Sequence, residues 1–131
     1  MLNGIQSPPL WGSILNIPAA VDTKEYISAN QTLTAGGQLV LAHGLGVAPR
    51  EVICYLINVT AEFGYSIGDV LIVDETMQTG TDRGLSVVID ATNITIRFGA
   101  SAASFIILSK SSGTQQSAVN ANWAMRVRAR A

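Results

Sequence analysis

The chain has 131 residues, a length for one domain with a modest core. Only 13% of residues are charged and the formal net charge is -1, which excludes the basic footprint of a nucleic-acid-binding protein. A single cysteine, Cys54, excludes an intrachain disulfide, and no apolar run reaches the roughly eighteen residues of a membrane-spanning helix.

Residues 1–24 read as an arm rather than part of a domain. Pro8, Pro9 and Pro18 interrupt it, which argues against a regular helix or a central strand. Leu10, Trp11 and Ile14, among other apolar residues, are too many for an idle tail, so the arm is expected to dock on the body or on a partner. The domain then spans 25–131. EYISANQTLTAGGQLVLAHG predicts two strands around a turn at 34–37, with Leu39 and Leu41 alternating against Gln38, Val40 and Ala42. EVICYLINVT, 51–60, is apolar on both faces. Val52, Cys54 and Leu56 point one way, and Ile53, Tyr55 and Ile57 the other. Such a strand is central, or its second face is covered by another subunit.

AEFGYSIG, 61–68, predicts a turn and DVLIVDE, 69–75, a strand. The polar stretch 77–84 connects to LSVVIDA and NITIRFG, two strands around a tight bend at 91–93. In the second of these Ile94, Ile96 and Phe98 face in while Thr95 and Arg97 face out. SFIILSK, 104–110, is another strand. Residues 111–121 read as a polar surface loop with room for one short helical turn, and NWAMRVRARA closes the chain as a strand. Seven or eight short strands separated by turn signals, with no 3.6-residue period, predict an all-β antiparallel β-sandwich with an extended N-terminal arm.

Little in this inventory points to catalysis. His43 is followed by Gly44, Leu45, Gly46 and Pro49, the composition of a corner between strands, where an imidazole ties backbone. One histidine and one core-type cysteine fall short of a zinc site, and no cofactor is expected. Asp69, Asp74, Glu75, Asp82 and Asp90 are the only acid-base candidates, and their spacing fits turns. Gly64, Tyr65, Gly68 and Asp69 form a second corner, where Phe63 or Tyr65 either stacks on a sugar or plugs the sandwich. Arg126, Arg128 and Arg130 sit two apart and share one strand face, with Trp123, Met125, Val127 and Ala129 on the other. Three like charges on one face call for a counter: carboxylates of a neighbouring strand, of a neighbouring subunit, or of an acidic ligand. Leu10, Trp11, Ile14 and the three arginines are therefore the candidate subunit contacts.

The ordered set HGLGVAPREV, TAEFGYSIGDVLIV, RGLSVVIDATNITIRFG and NWAMRVRARA resembles the small β-domain of bacteriophage tail-fibre and related virion proteins. The resemblance covers roughly residues 38–131. It implies a non-enzymatic virion module, assembled in the host cytoplasm as a homotrimer and placed where it contacts a host-surface glycan or protein. By the same resemblance His43, Gly44, Gly46, Tyr65, Gly68 and Asp69 are fold-defining positions. The chain departs from a long fibre in lacking a shaft ahead of the body. That leaves a capsid decoration protein, held to other virion proteins by its arm, as the alternative. A carbohydrate-binding module is a further one, requiring an exposed aromatic platform at Trp11 or Tyr65. A glycan hydrolase would need two carboxylates suitably spaced in a groove.

Overall fold

Alternation of apolar and polar side chains organises nearly every regular element of the computed structural model, which describes residues 24–73 and 81–131. Ten strands form among them: β1 (Glu25–Ile27), β2 (Gln31–Thr32), β3 (Gln38–Ala42), β4 (Glu51–Asn58), β5 (Val70–Ile72), β6 (Leu85–Ile89), β7 (Asn93–Phe98), β8 (Ile106–Leu108), β9 (Gln115–Ser117) and β10 (Trp123–Arg130). All pairings are antiparallel. The protein is an all-β antiparallel sandwich.

The larger sheet runs β1, β10, β4, β5, with β2 continuing the edge beside β10. β4 and β10 pair along their whole length, from Glu51 opposite Arg130 to Asn58 opposite Trp123. The second sheet has the order β3, β7, β6, and β8 with β9 forms a separate hairpin. Period two decides which side chains meet between the layers. Cys54 and Leu56 of β4 and Met125, Val127 and Ala129 of β10 are buried against Ile94, Ile96 and Phe98 of β7. The rings of Phe98 and Phe105 meet edge to face with centroids 6.3 Å apart. Full burial of side chains of this size contributes about 1.5–3 kcal/mol each relative to exposure, so β4, β7 and β10 dominate the fold.

Two elements differ from expectation. The first strand divides into β1 and β2 because Ser28 turns inward. Its N–H donates to Val127 O (2.9 Å), and its Oγ accepts from Val127 N–H (2.9 Å) and donates to Ala29 O (2.8 Å). The segment 111–121, expected to be a surface loop, instead contributes β9. Ser109 N–H donates to Thr114 O (2.8 Å) and Gly113 N–H to Ser109 O (2.8 Å), closing a tight turn that lays Gln115–Ser117 against β8. Its composition, Gln-Gln-Ser, lacks the β-branched residues that mark strands. The helical turn allowed for in this region is the 3-10 turn Asn120–Asn122. Residues 1–23, including the candidate contacts Leu10, Trp11 and Ile14, lie outside the described residues, as do Asp74 and Glu75.

Candidate functional site

The first predicted corner is built around a buried imidazole. His43 follows β3, and its ring reaches backbone on both sides. Leu45 N–H donates to Nδ1 (3.1 Å), which fixes the proton on Nε2, and Nε2 donates to Asp90 O (2.9 Å). The ring thus joins the corner after β3 to the bend between β6 and β7. Gly44 and Gly46 have φ of 65° and 81°, the left-handed region that this corner requires. Pro49 lies just ahead of β4. Asp90 caps the bend: its Oδ1 accepts from Thr92 N–H and Asn93 N–H, both at 2.7 Å. These two donors hold its carboxyl below the usual carboxylate range. His43 and Asp90 therefore meet, but through the aspartate's carbonyl, and among the described residues both ring nitrogens bond to backbone rather than to a nucleophile.

The second corner is held by side chains at its rim. Tyr65 Oη donates to Leu108 O (2.7 Å), and its ring meets that of Trp123 edge to face, 5.1 Å between centroids. The half-buried ring plugs the end of the sandwich. Gly64 passes so close to Ser111 that a Cβ there would lie 2.9 Å from the serine's own Cβ. Gly68 N–H donates to Asn58 O (2.8 Å). Asp69 Oδ2 accepts from Lys110 Nζ (2.6 Å) and Ser66 N–H (3.0 Å), and Lys110 first, then Ser66, lowers its pKa. Glu62 was not singled out from the sequence. Its carboxylate gathers Val119 N–H (3.0 Å), Trp123 Nε1–H (3.3 Å) and the Asn122 amide, tying this corner to the start of β10. A lone acid in a turn carries no pattern that announces such a role. Among the described residues no group of three or more histidine, cysteine or acidic side chains could hold a metal.

The outer face of the larger sheet gathers the third set of candidates. Register places its outward side chains in rows across β1, β10, β4 and β5. Glu25, Arg130 and Glu51 make the first row, and Ile27, Arg128 and Ile53 the second. Arg126, Tyr55 and Ile72 make the third, and Ala124, Ile57 and Val70 the fourth. Ile27, Val70 and Ile72 are 55%, 57% and 69% exposed. A shallow depression of about 250 Å³ lies among Ile27, Tyr55, Ile57, Val70, Arg126 and Arg128.

The three arginines do share one face, and a neighbouring strand answers two of them. Glu25 Oε2 lies 2.7 Å from Arg128 Nη2 and 3.2 Å from Arg130 Nε. The hydrogen bond to Arg128 is the main cause of a lowered Glu25 pKa, and Glu25 followed by Tyr55 raises that of Arg128. Arg126 has no such carboxylate among the described residues. Its Nε and Nη2 donate to Asn30 Oδ1 at 3.2 and 2.8 Å. Glu51 stands opposite Arg130 in register and forms no ion pair among the described residues. No protein-family model matches the chain, and no curated protein matches it. An apolar sheet face with long cationic side chains suits docking against protein.

Proposed function

We propose that the chain is a non-enzymatic structural module of a bacteriophage virion, working as a symmetric homo-oligomer in a small tail-fibre or spike-like appendage that contacts the host surface. The observation that carries this reading is the outer face of the larger sheet, where Ile27, Val70 and Ile72 stand exposed around an arginine row. Contiguous apolar surface on a chain with so little charge marks an interaction face, and symmetric self-association is the commonest way to cover one. The resemblance of the ordered motifs to fibre-type β-domains supplies the virion context and favours a trimer. In this reading the arm docks on other virion proteins. The candidate acid-base groups support the non-enzymatic part, since Asp69 and Asp90 are engaged as turn caps.

Capsid decoration remains the second reading, favoured by the apolar, proline-bearing arm. A sugar platform at Tyr65 finds less support, because that ring is engaged with Trp123 and Leu108. The test is particle composition. Peptide mapping of particles purified from the host that encodes the chain is expected to find it in stoichiometric, symmetry-compatible copy number. Deleting residues 2–20 is expected to abolish incorporation. Particles free of the chain would overturn the virion reading, and incorporation unaffected by the deletion would overturn the role of the arm.

A further inference from the structure

The outer face of the larger sheet has two charged side chains of opposite sign that lack ionic partners among the described residues. Glu51 begins β4, and Arg126 on β10 is in register with Tyr55, four residues further along β4. At about 3.4 Å per residue the two lie roughly 14 Å apart along the strands. Between them runs the row Ile27, Arg128 and Ile53.

We propose that this face is the contact surface for a second copy of the same chain, stacked sheet on sheet about a two-fold axis that crosses the strands near the Arg128–Ile53 row. The inference rests on the symmetric-assembly reading above and names the surface it uses. A two-fold contact requires that residue i meet residue j and j meet i. About this axis Arg126 of each copy reaches Glu51 of the other, so one rotation satisfies two unpaired ions of opposite sign in each chain. The row on the axis brings Ile27 and Ile53 of both copies together. Arg128, which lies there too, is already held by Glu25 and Tyr55 of its own chain. Its charge is thus answered before the partner arrives.

The contact is compact. About this axis the residues in register with 51–55 of β4 overlap, about 17 Å along the strands, and four strands at about 4.8 Å cover about 19 Å. Each copy therefore gives about 300 Å² in projection and the pair about 600 Å², a small contact of the transient class. Burial of Ile27 and Ile53 supplies the affinity, while the crossed Arg126–Glu51 pairs set the register. A contact of this kind joins chains in pairs: a dimer, or two trimers back to back where a three-fold contact lies elsewhere.

Charge exchange tests it on the full-length protein. Wild type, Glu51→Arg, Arg126→Glu and the double exchange are compared by sedimentation over a range of concentrations. Circular dichroism checks that each variant is folded, which is expected because Glu51 and Arg126 stand at the solvent face. Each single reversal sets like charges against each other and is expected to weaken the paired state about tenfold or more. The double exchange is expected to restore it. Rising salt is expected to narrow the gap between the single variants and wild type. An oligomer whose mass ignores both single changes, a lone trimer, or a loss without rescue would overturn this surface while leaving symmetric assembly in place. A wild-type chain that stays monomeric at about 100 µM, far above the micromolar affinities of ordinary interfaces, would overturn both.

Discussion

His43 commits both ring nitrogens to backbone, and that explains why the chain's only histidine sits 4% exposed beside two glycines. Replacing it with alanine strands Leu45 N–H in a buried corner and removes the donor of the half-buried hydrogen bond to Asp90 O. A buried amide left without a partner costs about 1–3 kcal/mol, so His43→Ala is expected to lower the urea unfolding free energy by about 2 kcal/mol or more. An unchanged midpoint would mean that the ring ties nothing. Asp90 offers a pH readout at the same corner. The Asn93 and Thr92 amides lower its carboxyl below the ordinary value of 3.8, so its folded pKa lies under its unfolded one. The ionised form therefore stabilises the fold above the unfolded pKa, and that contribution is lost as pH falls through the folded pKa. The difference in thermal midpoint between wild type and Asp90→Asn is expected to be largest near neutrality and to shrink below about pH 4. A constant gap would assign the cap to something other than charge.

At the scale of elements, alternation makes β3, β4, β7 and β10 legible in the sequence. In β3, β7 and β10 one face is apolar and the sequence states which, whereas β4 is apolar on both. β9 was not legible, because its pairing comes from a tight turn closed by backbone hydrogen bonds rather than from its own side chains. Nor was the division of β1 from β2, which depends on one buried serine. In the candidate site the arginine row and the second apolar face of β4 could be read directly. Asn30 as a partner of Arg126, and Glu62 as the clasp on Trp123, could not, since their partners lie 96 and 57–61 residues away. The approach of the segment after β7 to the chain ahead of β6 is equally hidden. Gly99 faces the backbone there, and a Cβ at this position would lie 2.3 Å from Asp82 O. Main chain cannot yield as a flexible side chain does. Gly99→Ala is expected to cost about 2 kcal/mol or more through displaced backbone, measured as a lowered urea midpoint. Full retention of stability would show that the two segments can separate freely.

The whole molecule sets a closed interior against an unfinished exterior. The core clusters side chains from both sheets and the β8–β9 hairpin around Cys54, Leu56, Met125 and Val127, all at or near zero exposure. The outer face of the larger sheet, by contrast, leaves isoleucine and valine in water. Folding and association should therefore respond to different residues. Val70 and Ile72 separate the two, because both point outward from the short strand β5 and neither belongs to the core. Aspartate at both positions removes apolar surface from the outer face without opening a cavity. At concentrations where the chain is monomeric, the Val70→Asp/Ile72→Asp protein is expected to unfold within about 1 kcal/mol of wild type, the shift reflecting lower strand propensity. At higher concentration it is expected to sediment as a smaller species than wild type. Loss of fold in the dilute variant would make this face part of the body's own stability. Equal sedimentation of folded variant and wild type would mean that the exposed end of the face contributes nothing to assembly. Reduced mass with the fold intact is the outcome consistent with a sandwich that folds from one set of side chains and assembles through another.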